Sequence, residues 1–164
     1  MNLKDKTIVI TGGGQGLGRT MAVSFSQSGA NIALIDLNEE LLEETAKLVE
    51  QSGASVKYYL ANVSNEEQIE STFKQINDDF NGIDGLINNA GILRDGMFVK
   101  AKDGVVSKKM SLAQFQSVID VNLTGVFLCG REAAVHMIES GRKGVIVNMS
   151  SIARGGNMGQ TNYA

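Results

Sequence analysis

The chain has 164 residues, 43% of them apolar and 20% charged, with a formal net charge of −3. That length sets one domain as the expectation and suffices for a buried core, and the mild acidity offers no electrostatic footprint for a nucleic-acid partner. One cysteine and one histidine exclude an internal disulfide and a His/Cys metal cluster, so no metal and a reducing, cytoplasmic setting are expected. No run of 18 apolar residues occurs and MNLKDKTIVI lacks a secretory layout, so no membrane partner is expected. With 19 glycines and no proline, sharp turns must rely on Gly, Asn and Asp.

An apolar run ending in Ile8, Val9 and Ile10 leads into TGGGQGLG at Thr11 to Gly18, and Leu17, Met21 and Phe25 then recur at spacings of four. The order predicts strand, glycine turn and helix. Such a turn presents unpaired backbone N–H groups at a helix N-terminus, which suits a phosphate. Gly12, Gly16 and Gly18 do not follow the common G-x-G-x-x-G spacing. Gly12 is expected to allow the sharp exit from the strand, Gly16 the approach of a pyrophosphate, and Gly18 close packing of helix on sheet. Gly14, Gln15 and Leu17 complete the binding turn. Two other readings stay open. The turn could merely tolerate glycine, or it could be a triphosphate-binding loop with Arg19 where such a loop has lysine.

Residues 31–36, NIALID, read as a second buried strand ending in Asp36, 18 positions past Gly18. An acid there accepts hydrogen bonds from adenosine ribose hydroxyls and repels a 2′-phosphate, and Leu37 stands beside it. No Arg or Lys follows until Lys47, so NAD(H) is favoured over NADP(H). The alternative is a helix-capping Asp36 with Glu39 three positions on. Residues 39–52 form an amphipathic helix that Gly53 stops. Val56 to Val63 reads as a third strand. Ser64 and Glu67 read as a capping box, followed by a helix through Ile69, Phe73, Ile76 and Phe80 that Asn81-Gly82 breaks. Leu86 and Ile87 belong to a fourth strand ending in NNAG. Strands alternating with helices predict an α/β fold, a parallel sheet covered on both faces, with right-handed crossovers.

Residues 92–110 are less regular, and Asp103-Gly104 between apolar flanks reads as a hairpin tip. Arg94, Lys100, Lys102, Lys108 and Lys109 outnumber Asp95 and Asp103, a local reversal of the chain's charge. The insertion reads as a basic surface or as a solvated edge protected by lysines. Ser111 and Gln114 open a long helix to about Glu139, with Phe115, Ile119, Asn122, Val126, Cys129 and Ala133 on one stripe. Asn122 is a polar amide on that apolar face, and a buried amide needs partners. Its simplest role is to tie down neighbouring backbone. His136 and Cys129 read as core or interface. Residues 144–148 form a fifth strand.

Together these segments resemble the short-chain dehydrogenase/reductase family. Thr11, Gly12, Gly16 and Gly18 match its glycine turn, NNAG its fourth-strand motif, VNLTG its long-helix asparagine, and Ser150 with Tyr163 its catalytic pair. The resemblance implies one Rossmann-like domain over 1–164, a doubly wound sheet of five strands in the order 3-2-1-4-5. It implies an NAD(P)(H)-dependent oxidoreductase moving hydride between nicotinamide and a carbonyl or secondary alcohol. Tyr163 would exchange a proton with the substrate oxygen, Ser150 would hold that oxygen, and Asn122 would hold a water in the proton relay. Asn62, where the family more often has Asp, and Val63 would edge the adenine. Asn89, Ala90 and Gly91 would line the cofactor's middle. NNAGILRD and GNMGQTNYA further resemble 3-oxoacyl-thioester reductases, which implies a carrier- or CoA-linked small-molecule substrate.

The family's Tyr-x-x-x-Lys pattern would place a lysine at 167, past Ala164. An ammonium there lowers a phenol whose ordinary pKa is about 10. The expectation is therefore a piece of a longer protein, lacking the C-terminal strands, with activity of the 164-residue chain in question. A binding module that holds a dinucleotide without redox work is the alternative. Homodimers or homotetramers, paired through the long helix, are implied by the resemblance.

Overall fold

A computed structural model describes residues 2–164. Its main sheet is parallel, built from β1 (Thr7–Thr11), β2 (Asn31–Asp36), β3 (Val56–Leu60), β4 (Gly85–Asn88) and β7 (Val145–Asn148) in the order β3-β2-β1-β4-β7. The two intervening strands, β5 (Val99–Lys102) and β6 (Val105–Lys109), pair with each other instead. The expected strand order holds once they are numbered in.

Alternation along the strands sends side chains to two cores. Val9, Ala33, Ile35 and Leu86 meet Ile69, Phe73 and Ile76 of α3 (Glu66–Phe80) and Leu128, Cys129 and Ala133 of α5 (Gly125–Glu139). Ile8, Ile10, Ile32, Leu34 and Ile87 face the other way, onto Ala22 of α1 (Gly16–Gln27) and Leu42 and Val49 of α2 (Glu39–Glu50). Strands buried on both faces carry unbroken apolar runs, as Ile8-Val9-Ile10 and Ile32-Ala33-Leu34-Ile35 do here. Each fully buried large side chain, Phe73 among them, contributes about 2–3 kcal/mol of transfer free energy.

Three expectations shift. The third strand stops at Leu60, so Ala61 to Val63 leave the sheet as a loop. The α3 cap is Asn65, whose side chain accepts from the Gln68 N–H, rather than Ser64. Ser64 instead donates its hydroxyl to Asn62 Oδ1 and accepts no helix amide. Asn81 does end α3, in the left-handed conformation with φ 54°.

The third shift concerns the long helix. It consists of α4 (Leu112–Ile119), a π-helical turn at Asp120–Thr124, and α5. The extra residue in that turn rotates the buried face. The buried positions are Val118, Gly125, Leu128, Cys129, Ala133 and Met137. Phe115 is exposed, and Ile119, Asn122, Val126 and His136 are half-buried. Only Cys129 and Ala133 of the predicted stripe lie in the core. Residues Leu112–Glu139 contain a stretch long and apolar enough, by length and composition, to cross a membrane, but Cys129 and Ala133 are packed fully against the sheet.

The hairpin forms as predicted. Asp103 and Gly104 both take positive φ, 50° and 79°, as a two-residue tip twisted to match its strands requires. Every residue of β5 and β6 is exposed, and Lys100 stands opposite Lys108.

Candidate active site

The C-terminal ends of β1, β2, β3 and β4 open onto one crevice. It lies where crossovers leave β1 in opposite directions, toward β2 on one side and β4 on the other, the place where open parallel sheets bind ligands. Two adjoining cavities occupy it.

The first, about 320 Å³, is lined by Gly12, Gln15, Asp36, Leu37, Asn62, Val63, Asn89, Ala90 and Gly91, together with Ile35, Ala61, Ile92 and Val121. The second, about 400 Å³, shares the 89–92 wall and brings Asn122, Ser150 and Tyr163 together with Leu17, Met149 and Arg154. Nine of the thirteen expected cofactor positions therefore border one cavity, and the three expected catalytic positions border the next. Gly14, Gly16 and Gly18 line neither. They shape the turn.

Gly18 does so by closeness: a Cβ there would sit 2.0 Å from the Gly12 carbonyl oxygen and 2.9 Å from Asn89 Nδ2. The contact that demands glycine is thus with the turn itself and the end of β4. Gly16 has φ 54° and nothing within 4 Å of where a Cβ would stand, so its backbone faces open space. Gly14 is held on both polar groups. Its N–H donates to Asp36 Oδ2 at 3.0 Å, and its carbonyl accepts from Arg19 Nη2 at 2.6 Å and Thr45 Oγ1 at 3.0 Å.

Arg19 is spent on that clamp. It also donates to Glu44 at 2.8 Å, and it lines neither cavity. A triphosphate-loop lysine reaches into its ligand site, so the triphosphatase reading loses its key residue. Asp36 is not the α2 cap either; Asn38 is, accepting from Leu41 N–H at 3.0 Å. Asp36 Oδ1 accepts from Leu37 N–H at 2.7 Å, which fixes the carboxylate at the cavity wall.

Helices α2, α3 and α4 begin with capping side chains at Asn38, Asn65 and Ser111, while α1 begins at Gln15 with none. Uncapped N-terminal amides beside an open glycine backbone fit a diphosphate.

Thr11, a motif residue in the sequence, aligns the neighbouring wall. Its Oγ1 accepts from the N–H groups of Asn89 and Ala90, each at 3.0 Å, and donates to the Ile87 carbonyl. Asn89 Nδ2 returns to the carbonyls of Thr11 and Gly12. Asn122 sits in the π-helical turn and spans both polar groups of Ile92, accepting from its N–H at 2.8 Å and donating to its carbonyl at 3.0 Å. The geometry gives this amide a backbone-tying role: Asn122 borders the second cavity and holds Ile92, which borders both.

The short chain dehydrogenase family model matches residues 6–164, and the chain belongs to that family. Among curated relatives, 2,5-dichloro-2,5-cyclohexadiene-1,4-diol dehydrogenase of Sphingobium indicum is 38% identical over 152 residues, covering 93% of this chain and 56% of that protein. The 3-oxoacyl-(acyl-carrier-protein) reductase of Thermotoga maritima is 36% identical over 165 residues, covering all of this chain and 63% of that one. The fold matches a solved NAD+-bound xylitol dehydrogenase with TM-score 0.87 and 30% identity over 99% of this chain, and levodione reductase with TM-score 0.85 and 34% identity over 98%. Each match covers 60% of the solved chain, so the chain spans somewhat over half the length of these relatives.

Proposed function

We propose that the protein transfers hydride between a nicotinamide cofactor and a carbonyl or secondary-alcohol carbon, with NAD(H) as the preferred cofactor. The observation that carries the cofactor preference is the first cavity. Asp36 stands on its wall, and among the described residues no Lys or Arg lines it. A 2′-phosphate there would meet a carboxylate with no cation to offset it, whereas ribose hydroxyls would find an acceptor.

When bound, the nicotinamide supplies the hydride, and the protein supplies orientation and protons. The amides at the start of α1 would receive the diphosphate, and Asp36 would hold the adenosine ribose. Asn62 and Val63 would border the adenine. In the second cavity, the Tyr163 phenol gives its proton to the substrate oxygen as that oxygen becomes an alcohol, or takes it back in oxidation. Ser150 donates a hydrogen bond to the same oxygen. Asn122 holds the Ile92 backbone that divides the two cavities.

The substrate class is a small-molecule ketone or secondary alcohol. The likeness to the Thermotoga protein supports 3-oxoacyl thioesters as one such class, and the basic hairpin at 92–110 suits an anionic carrier or CoA handle.

The test is Asp36→Ala. Fluorescence titration of the native-length protein with NADH and NADPH is expected to show the NADH preference falling by about tenfold or more, the scale of one lost charge-assisted contact. An unchanged NADH/NADPH ratio would refute the ribose role.

A further inference from the structure

Tyr163 is carried by a segment that the fold fastens at one buried point, the residue before it. Asn162 is 5% exposed. Its Nδ2 donates to the Arg94 carbonyl at 2.9 Å and to the Gln114 carbonyl at 3.3 Å. Its Oδ1 is buried without a hydrogen-bond partner among the described residues, so all the side chain's bonding runs through the two amide hydrogens. Two carbonyl acceptors demand a donor with two hydrogens, which Asn has and Asp lacks.

The anchor is itself braced. Gln114 Nε2 donates to the Arg94 carbonyl at 2.9 Å and the Asp95 carbonyl at 3.0 Å. Gly96 N–H donates to the Gly159 carbonyl at 2.6 Å, and Gln160 Nε2 reaches the Asp95 carboxylate at 3.2 Å. Tyr163 N–H closes the turn onto the Gln160 carbonyl at 3.0 Å. The root of the β5–β6 hairpin, the first turn of α4 and the tyrosine segment are thereby joined through the Arg94 carbonyl.

We propose that Asn162 is a positioning residue: by gripping the Arg94 and Gln114 carbonyls it sets where the Tyr163 phenol stands in the second cavity. The proposal rests on the oxidoreductase reading above. Acid–base groups act at hydrogen-bond range, and displacement by about 1 Å costs up to about a hundredfold in rate. Asn162, Arg94 and Gln114 do not line the first cavity, which would take the adenosine half of the cofactor, so most of the NADH affinity is expected to survive loss of the anchor.

The experiment compares Asn162→Asp, Asn162→Gln and the unmodified native-length protein, counting folded sites by NADH titration and measuring kcat and KM per site. Asn162→Asp keeps the shape but places an acceptor against two carbonyls. It is expected to lower kcat by about tenfold or more while the NADH Kd stays within about twofold and KM moves less than kcat. Asn162→Gln, which keeps the donor, is expected to recover part of the loss. A kcat per NADH site in Asn162→Asp equal to that of the unmodified protein would overturn the proposal.

Should Asn162→Asp yield no NADH sites, Gln114→Leu decides, because that side chain reaches the same carbonyl from the surface. A fall in kcat of about threefold or more at unchanged NADH affinity supports the anchor, and an unchanged kcat overturns it. Absence of any NAD(H)-linked turnover in the unmodified protein would strike the oxidoreductase reading itself, whereas turnover indifferent to these substitutions strikes only the role of Asn162.

Discussion

Gly18 and Gly16 are both glycines of one turn, yet they are glycine for different reasons. At Gly18 a Cβ would collide with the Gly12 carbonyl oxygen at 2.0 Å, a backbone atom that cannot swing aside. At Gly16 the space is open and the constraint is φ 54°. Gly18→Ala is therefore expected to lower the melting temperature and abolish measurable NADH binding together. Gly16→Ala is expected to cost about 1 kcal/mol of backbone strain and leave the fold intact, while its methyl group would crowd the proposed approach of the diphosphate. Thermal melts paired with NADH titration separate the two; equal effects in both variants would contradict this division. The glycine spacing was legible in the sequence. The clamp on Gly14 was not, because Arg19, Asp36 and Thr45 meet only after α2 packs beside α1, and nothing in local spacing announces that meeting. The anchoring by Asn162 leaves no local mark in the sequence for the same reason, its partners lying at 94 and 114.

Among the elements, the N-terminal ends of β1 and β4 are tied to the loop before β7 by one carboxylate. Asp84 is 2% exposed and accepts from Thr7 N–H at 3.0 Å, Lys6 Nζ at 3.0 Å and Arg142 Nη1 at 2.7 Å. Burial opposes its ionisation, but these donors outweigh burial and hold the carboxyl below the ordinary carboxylate range. A depressed folded-state pKa means stabilisation that is full above the unfolded value of about 4 and lost as pH falls through the folded one. Asp84→Asn is thus expected to cost about 3 kcal/mol near pH 7, the scale of breaking a buried pair. Denaturant melts should show that gap narrowing below about pH 4. A gap independent of pH would contradict the assignment. Element identities and order were readable from apolar periodicity. The π-helical turn was not, since an inserted residue leaves no mark in composition and only rotates the later half of the stripe.

At the scale of the molecule, the long helix leaves apolar side chains outside. Leu112 is 76% exposed, Phe127 61% and Ile138 77%. Such a surface asks for cover. Pairing of two copies through the helix face is expected, so Phe127→Glu should shift sedimentation of the native-length protein toward monomer; an unaltered profile would place the contact elsewhere. The two cavities share the Asn89–Ile92 wall, so a single extended ligand would lie across both. A crystal structure of the native-length protein with NADH tests it most directly. The account predicts the diphosphate over the amides that open α1, the adenosine ribose on Asp36, and the nicotinamide beside Ser150 and Tyr163. NADH bound away from the β1–β4 crevice, or a crevice empty at saturating cofactor, would contradict it.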